Sequence, residues 1–167
     1  AESLGAELLC PADFCGADLL TDGCEVHYRV GDWQRTCRAT VLINAAGPWV
    51  AEIVGMVSPS PPVVPVELVQ GAHIELSTKE TGFTGKYFYY VESPRDGRAV
   101  FVMPCGERLI VGTTETRYRE DPARVHPLPA EESYLLSVLR QYFPALNGLA
   151  RADLLGSWAG LRVLPGG

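Results

Sequence analysis

The chain has 167 residues, of which 47% are hydrophobic, and 14 Lys and Arg stand against 20 Asp and Glu for a formal net charge of −6. That size and balance predict a sizeable buried core and exclude a disordered tail or a fibre. The acidic charge excludes nucleic acid as a partner, since phosphate binding relies on clustered Lys and Arg, and no apolar run approaches the roughly 20 residues of a membrane-spanning helix.

Residues 1–9 have neither a basic start nor a proper apolar stretch, so they do not read as a secretory signal. The first fifty residues read as strand, turn, strand. Cys24, Val26, Tyr28 and Val30 alternate with polar residues as a half-buried strand does, and Gly31-Asp32 supplies a turn. Ala39-Thr40-Val41-Leu42-Ile43 is a β-branched and apolar run, the pattern of a strand covered on both faces. Asn44-Ala45-Ala46-Gly47 ends it, and Pro48 suits the first turn of a short helix over residues 49–56. Four prolines within residues 58–65 forbid helix and mark a stiff crossing between two layers or subdomains.

Beyond that crossing the chain is strand-rich. In residues 66–76, Val66, Leu68, Ile74 and Leu76 share one face, with Glu67, Gly71, His73 and Glu75 on the other. Residues 87–91, 99–103 and 109–113 read as further strands, joined by Pro94-Arg95-Asp96-Gly97 and Cys105-Gly106-Glu107. Such short turns imply an antiparallel meander. One helix is plain. Pro129 opens it, Glu131 and Glu132 complement its N-terminal dipole, and Leu135, Val138, Leu139 and Tyr142 form its apolar stripe before Pro144. A last strand covers residues 154–164. The fold class is therefore α+β, a mainly antiparallel sheet with one principal helix.

Cys10, Cys15, Cys24, Cys37 and Cys105 form no CxxC pair and no zinc spacing, so no metal site is expected. The odd, irregular set reads as free thiols in a reducing, cytoplasmic setting, each acting as a small buried hydrophobe. No GxGxxG, P-loop, GxSxG or HExxH occurs.

Three places could carry chemistry. At Asn44-Ala45-Ala46-Gly47-Pro48-Trp49 small residues before a helix start let a ligand approach the backbone, although an ordinary tight turn explains them equally well. His73 faces away from its strand's apolar side, where it could take a proton at neutral pH; a lone histidine is more often structural. On the last strand Trp158, Gly160, Arg162 and Leu164 face one way, placing a fixed cation beside open space. An interior arginine needs a partner, from protein or ligand. Thr113 and Thr114 offer two hydroxyls at a strand end, and are also simply good strand residues.

In order along the chain, Val41-Leu42-Ile43-Asn44-Ala45-Ala46-Gly47-Pro48-Trp49, Gln70-Gly71-Ala72-His73, Phe101-Val102-Met103-Pro104, Ile110-Val111-Gly112-Thr113-Thr114-Glu115 and Ala159-Gly160-Leu161-Arg162 resemble the aerobic, FAD-dependent glycerol-3-phosphate dehydrogenases of the D-amino-acid-oxidase-like superfamily. The resemblance runs over residues 7–164. Members of that family open with a GxGxxG segment gripping FAD and continue past the arginine-bearing strand, so the sequence is expected to be an internal piece, inactive and flavin-free alone. The resemblance implies a partial FAD-binding domain over residues 1–57 and a substrate-binding sheet domain over residues 66–167. Asn44, Ala45, Ala46, Gly47 and Trp49 would line FAD. His73 and Arg162 would be catalytic, with Thr113, Thr114 and Arg162 binding substrate.

The implied reaction is oxidation of sn-glycerol 3-phosphate to dihydroxyacetone phosphate. Quinone would be the acceptor, on a parent protein peripheral to the inner membrane and capable of forming a homo-oligomer. The family commonly has a basic residue at Gln70, serine at Ala72, aspartate at Glu115 and proline at Val163; losing a cation at position 70 is expected to weaken phosphate recognition. Two alternatives stay open, an amine or amino-acid oxidase of the same superfamily, with Arg162 pairing a carboxylate, and a cofactor-free α+β binding module.

Overall fold

The computed structural model describes residues 2–166, which divide into two compact units, residues 2–66 with 165–166, and Glu67–Leu164. In the first unit β1 (Asp13–Leu20), β2 (Gly23–Val30) and β3 (Trp33–Ala39) form an antiparallel meander. Its tight turns close at the pairs Leu20–Gly23 and Val30–Trp33. After α1 (Val50–Gly55), the two-residue β4 (Val57–Ser58) pairs parallel to β1, giving the order β3-β2-β1-β4. The expectation of two strands misses β1, whose Asp13-Phe14-Cys15-Gly16 start lacks alternation because the register shifts between Phe14 and Gly16.

The strand expected over residues 39–43 is not formed. β3 ends at Ala39, where its pairing with β2 ends opposite Cys24, and the residues after it adopt no regular structure. Val41 and Ile43 are 70% and 81% exposed. An apolar run becomes a doubly covered strand only if other strands pair with it, and none does among the described residues. The cysteines also depart from expectation: all five are free, but only Cys24 is buried.

In the second unit, β5 (Val66–Ser77) leads through a short α2 (Thr78–Thr81) into β6 (Tyr89–Glu92), β7 (Ala99–Cys105) and β8 (Arg108–Gly112). β9 (Thr116–Tyr118), α3 (Pro129–Tyr142) and β10 (Gly156–Pro165) follow. The sheet runs β10-β5-β8-β7-β6, with β9 pairing the start of β5. The β8–β7 and β7–β6 pairs, joined by short turns, are antiparallel, and so is β5–β8, whose strands are far apart in sequence. This is the α+β architecture expected.

Strand alternation sorts the side chains. Ile74, Leu76, Val91, Val100, Val102, Leu109 and Val111 pack with Leu135, Leu136, Val138 and Leu139 of α3 in one core. Each such aliphatic side chain contributes roughly 1.5–3 kcal/mol on full burial. Tyr142, expected in the stripe, is 44% exposed and donates its hydroxyl to the Glu92 carbonyl, while Leu136 takes the inner place. Register then places His73, Gly112, Phe101 and Tyr90 opposite one another across β5, β8, β7 and β6. That row lies on the face away from α3.

Glu131 does more than complement a dipole. Buried to 5% exposure, its carboxylate accepts from Gln70 Nε2 at 2.5 Å, Thr114 Oγ1 at 2.7 Å, Thr116 Oγ1 at 3.0 Å and the Leu128 amide at 3.0 Å. Glu132 beside it accepts from Arg151 at 2.6 Å and Ser157 at 2.7 Å, and these bonds hold its carboxyl below the usual range against the opposing effect of burial. Glu131→Ala leaves several buried donors unmatched and is expected to cost about 3 kcal/mol. Glu131→Gln is expected to cost about half as much. Urea midpoints of the two variants check the ranking; equal midpoints with the unsubstituted protein would show that the cluster contributes nothing.

Candidate active site

Two glycines create the geometry on the face of the second unit's sheet away from α3. A Cβ at Gly71 of β5 would overlap Thr113 Oγ1 and come within 2.5 Å of Arg162 Nη2, so the guanidinium lies over bare backbone. A Cβ at Gly112 of β8 would overlap the His73 ring, lying 2.6 Å from its Cγ. Arg162 and His73 are thus laid flat across neighbouring strands by the absence of side chains beneath them.

Arg162, half-buried on β10, donates to Thr113 Oγ1 at 2.8 Å and more distantly to the Thr114 carbonyl at 3.4 and 3.5 Å. Among the described residues no carboxylate lies within ion-pairing distance of it. The cation anticipated to need a partner has hydroxyl and carbonyl oxygens but no acid, which leaves its charge available to an anion.

The His73 imidazole stacks on the Trp158 indole with centroids 5.3 Å apart and planes within 6° of parallel. Its Nδ1 is buried without a hydrogen-bond partner. Burial, and secondarily the charge of Arg162, hold its pKa below the ordinary 6.5, because both disfavour the imidazolium.

The two threonines diverge. Thr113 meets Arg162. Thr114 turns inward, where its hydroxyl accepts from the Ala72 amide at 2.8 Å and donates to Glu131 at 2.7 Å, so it is committed to holding the loop. Gln70 also points away from His73, bonded to Glu131 and to the His126 carbonyl at 2.9 Å. A cation at position 70 would face Glu131 rather than the His73–Arg162 face, so the expected loss of phosphate recognition does not follow from this substitution.

In the first unit Asn44 closes its own turn, Nδ2 donating to the Val50 carbonyl at 2.9 Å and Oδ1 accepting from the Ala46 amide at 3.2 Å. Ala45, Ala46 and Gly47 then present backbone with little side chain, and Gly47 takes φ +54°, where a Cβ is disfavoured. Trp49 is partly exposed. The structure therefore brings His73, Arg162 and Thr113 together in one unit, and places Asn44, Ala45, Ala46, Gly47 and Trp49 in the other. The sequence assigns no role to Trp158 or Gly112; the alternation Trp158, Gly160, Arg162 is the signal for the first, while nothing local marks the second.

The profile of the FAD dependent oxidoreductase family matches residues 1–167. Glycerol-3-phosphate dehydrogenase of Pseudomonas aeruginosa is 38% identical over 128 residues, covering 76% of this chain and 24% of that protein. D-erythritol 1-phosphate dehydrogenase of Brucella abortus is 33% identical over 131 residues, covering 78% and 25%. The solved structure of a glycerol-3-phosphate dehydrogenase from Bacillus halodurans complexed with FAD aligns with a TM-score of 0.84 at 28% identity, covering 98% of this chain and 33% of that one. The chain spans about a quarter of the length of these curated relatives. With the profile matched along its whole length, the chain belongs to the FAD dependent oxidoreductase family.

Proposed function

We propose that the chain is part of a flavoenzyme that oxidises a phosphorylated polyol, sn-glycerol 3-phosphate first, to dihydroxyacetone phosphate. The observation that carries this reading is the acid-free Arg162 beside a histidine whose neutral form is favoured, both laid across Gly71 and Gly112. Relatives named as dehydrogenases of glycerol 3-phosphate and D-erythritol 1-phosphate support the substrate class.

The residues present fit FAD. Within the second unit the Trp158 and His73 rings lie parallel, with Phe101 and Tyr90 in the same strand row, and within the first unit residues 44–47 offer accessible backbone. In this reading the first unit carries part of the flavin side, with Asn44, Ala45, Ala46, Gly47 and Trp49, and the second carries the substrate side. FAD, when bound, supplies the acceptor for the hydride that leaves C2. His73 takes the C2 hydroxyl proton, and Arg162 offsets negative charge on the phosphate or on the developing carbonyl oxygen. Thr113 orients Arg162, and Thr114 holds the loop. Quinone as final acceptor, a cytoplasmic parent protein peripheral to a membrane, and a homo-oligomer complete the reading on the family resemblance. No helix among the described residues is long and apolar enough to cross a membrane.

The decisive experiment is anaerobic flavin bleaching in the full-length parent protein. Glycerol 3-phosphate should bleach rapidly and glycine or sarcosine should not; bleaching by an amine alone would recast Arg162 as a carboxylate clamp. His73→Ala is expected to slow bleaching by about 100-fold or more. For Gly71→Ala, whose Cβ displaces Arg162, KM should rise about tenfold; an unchanged KM would remove Arg162 from substrate binding. Because the pKa of His73 is lowered, its proton-accepting form persists below pH 6.5, so the acid limb of kcat/KM should fall below that value. A limb above 6.5 would exclude His73 as the base.

A further inference from the structure

A histidine that acts as a base is ordinarily aimed by a hydrogen bond to its second ring nitrogen, usually from a carboxylate or a carbonyl, which fixes tautomer and ring direction. His73 has no such bond. Its Nδ1 is buried and unpartnered, and no other hydrogen bond to the ring occurs among the described residues. Yet the ring is held in one place. On one side it lies parallel to the Trp158 indole, within 6° and at 5.3 Å, inside the range of offset stacking. On the other it lies over Gly112, its direct partner on β8, so closely that a Cβ there would stand 2.6 Å from Cγ and 2.8 Å from Nε2. A ring free to turn would bring Nδ1 to water or to a polar neighbour, since an orphaned buried nitrogen is costly.

We propose that Trp158 and Gly112 are the positioning residues of His73: the stacked indole and the bare backbone substitute for the missing hydrogen bond, sheltering Nδ1 and leaving Nε2 as the nitrogen that exchanges protons. This rests on the reading of His73 as the base. It has a chemical consequence. With no carboxylate to stabilise the imidazolium, the proton taken from substrate is held weakly and returned readily to water once product forms. Arg162 of β10 acts in the same sense on the titration of His73. The charged pair on this face, Glu75 of β5 with Arg108 of β8, is not among the causes acting on His73.

The test uses the full-length flavoprotein with Trp158→Leu, Trp158→Phe and Gly112→Ala. For Trp158→Leu, kcat should fall about 10- to 100-fold with KM within about twofold, and Trp158→Phe, which keeps a stacking ring, should recover most of the loss. Carbethoxylation of His73 by diethyl pyrocarbonate, followed against pH by peptide mass spectrometry, reports the ring itself. The midpoint for the unsubstituted protein should lie below 6.5, that of Trp158→Leu should move up toward 6.5 as Nδ1 gains water, and Trp158→Phe should stay low. An unchanged midpoint and kcat in Trp158→Leu would overturn the proposal, as would Trp158→Phe falling equally far. Should Trp158→Leu not fold, Gly112→Ala decides alone, with the same loss and upward movement expected and unaltered behaviour refuting. Full turnover by His73→Ala would instead sink the functional reading, while the carbethoxylation midpoints would still report on the stack.

Discussion

One buried carboxylate organises the second unit. Glu131 draws Gln70 from β5, Thr114 and Thr116 from the stretch after β8, and the Leu128 amide from the helix's own entry into a single cluster. A charge in a protein interior is tolerable only when its acceptor positions are filled, so the cluster specifies where α3 begins and against which strands it lies. Once α3 occupies that face, strand alternation sends His73 and its row to the other. The loop carrying Thr113 is pinned from behind through Thr114, and Arg162 reaches it from β10.

The site is built by subtraction as much as by addition. Gly71 and Gly112 are useful for what they lack, since each leaves room for a ring or guanidinium to lie flat on backbone. The same economy runs through its electrostatics: among the described residues the cation has no acid, and the histidine has no hydrogen-bonded orienter. Such groups are costly in an ordinary fold and mark a place where a ligand can compensate. In the function proposed above, a phosphorylated substrate would answer the first and a proton from its hydroxyl the second.

The first unit behaves differently. Its meander turns tightly, and Ala17, Cys24 and Val57 are the unit's buried apolar residues. The run at residues 41–43 has the composition of a covered strand and no strand to pair with among the described residues. Pattern reading reports what a segment needs, and pairing reports whether the need is met. The same distinction explains Cys10, Cys15, Cys37 and Cys105, apolar by type and exposed in place.

By itself the sequence determined the strands at β2, β5, β6, β7, β8 and β10, the short helix α1, the helix Pro129–Tyr142 and the crossing near residue 60, because period, proline and short turns act locally. It also marked His73 and Arg162 as chemistry-bearing residue types, and their spacing on alternating strands put each on a definite face. Only the tertiary structure decided that these two share one face, that Thr113 meets Arg162 while Thr114 turns to Glu131, and that Gln70 serves the helix. Register between strands far apart in sequence decides who stands opposite whom, and a one-residue slip reverses every assignment. For that reason Gly112, which matters only because His73 lies over it, is silent in the sequence and evident in the fold.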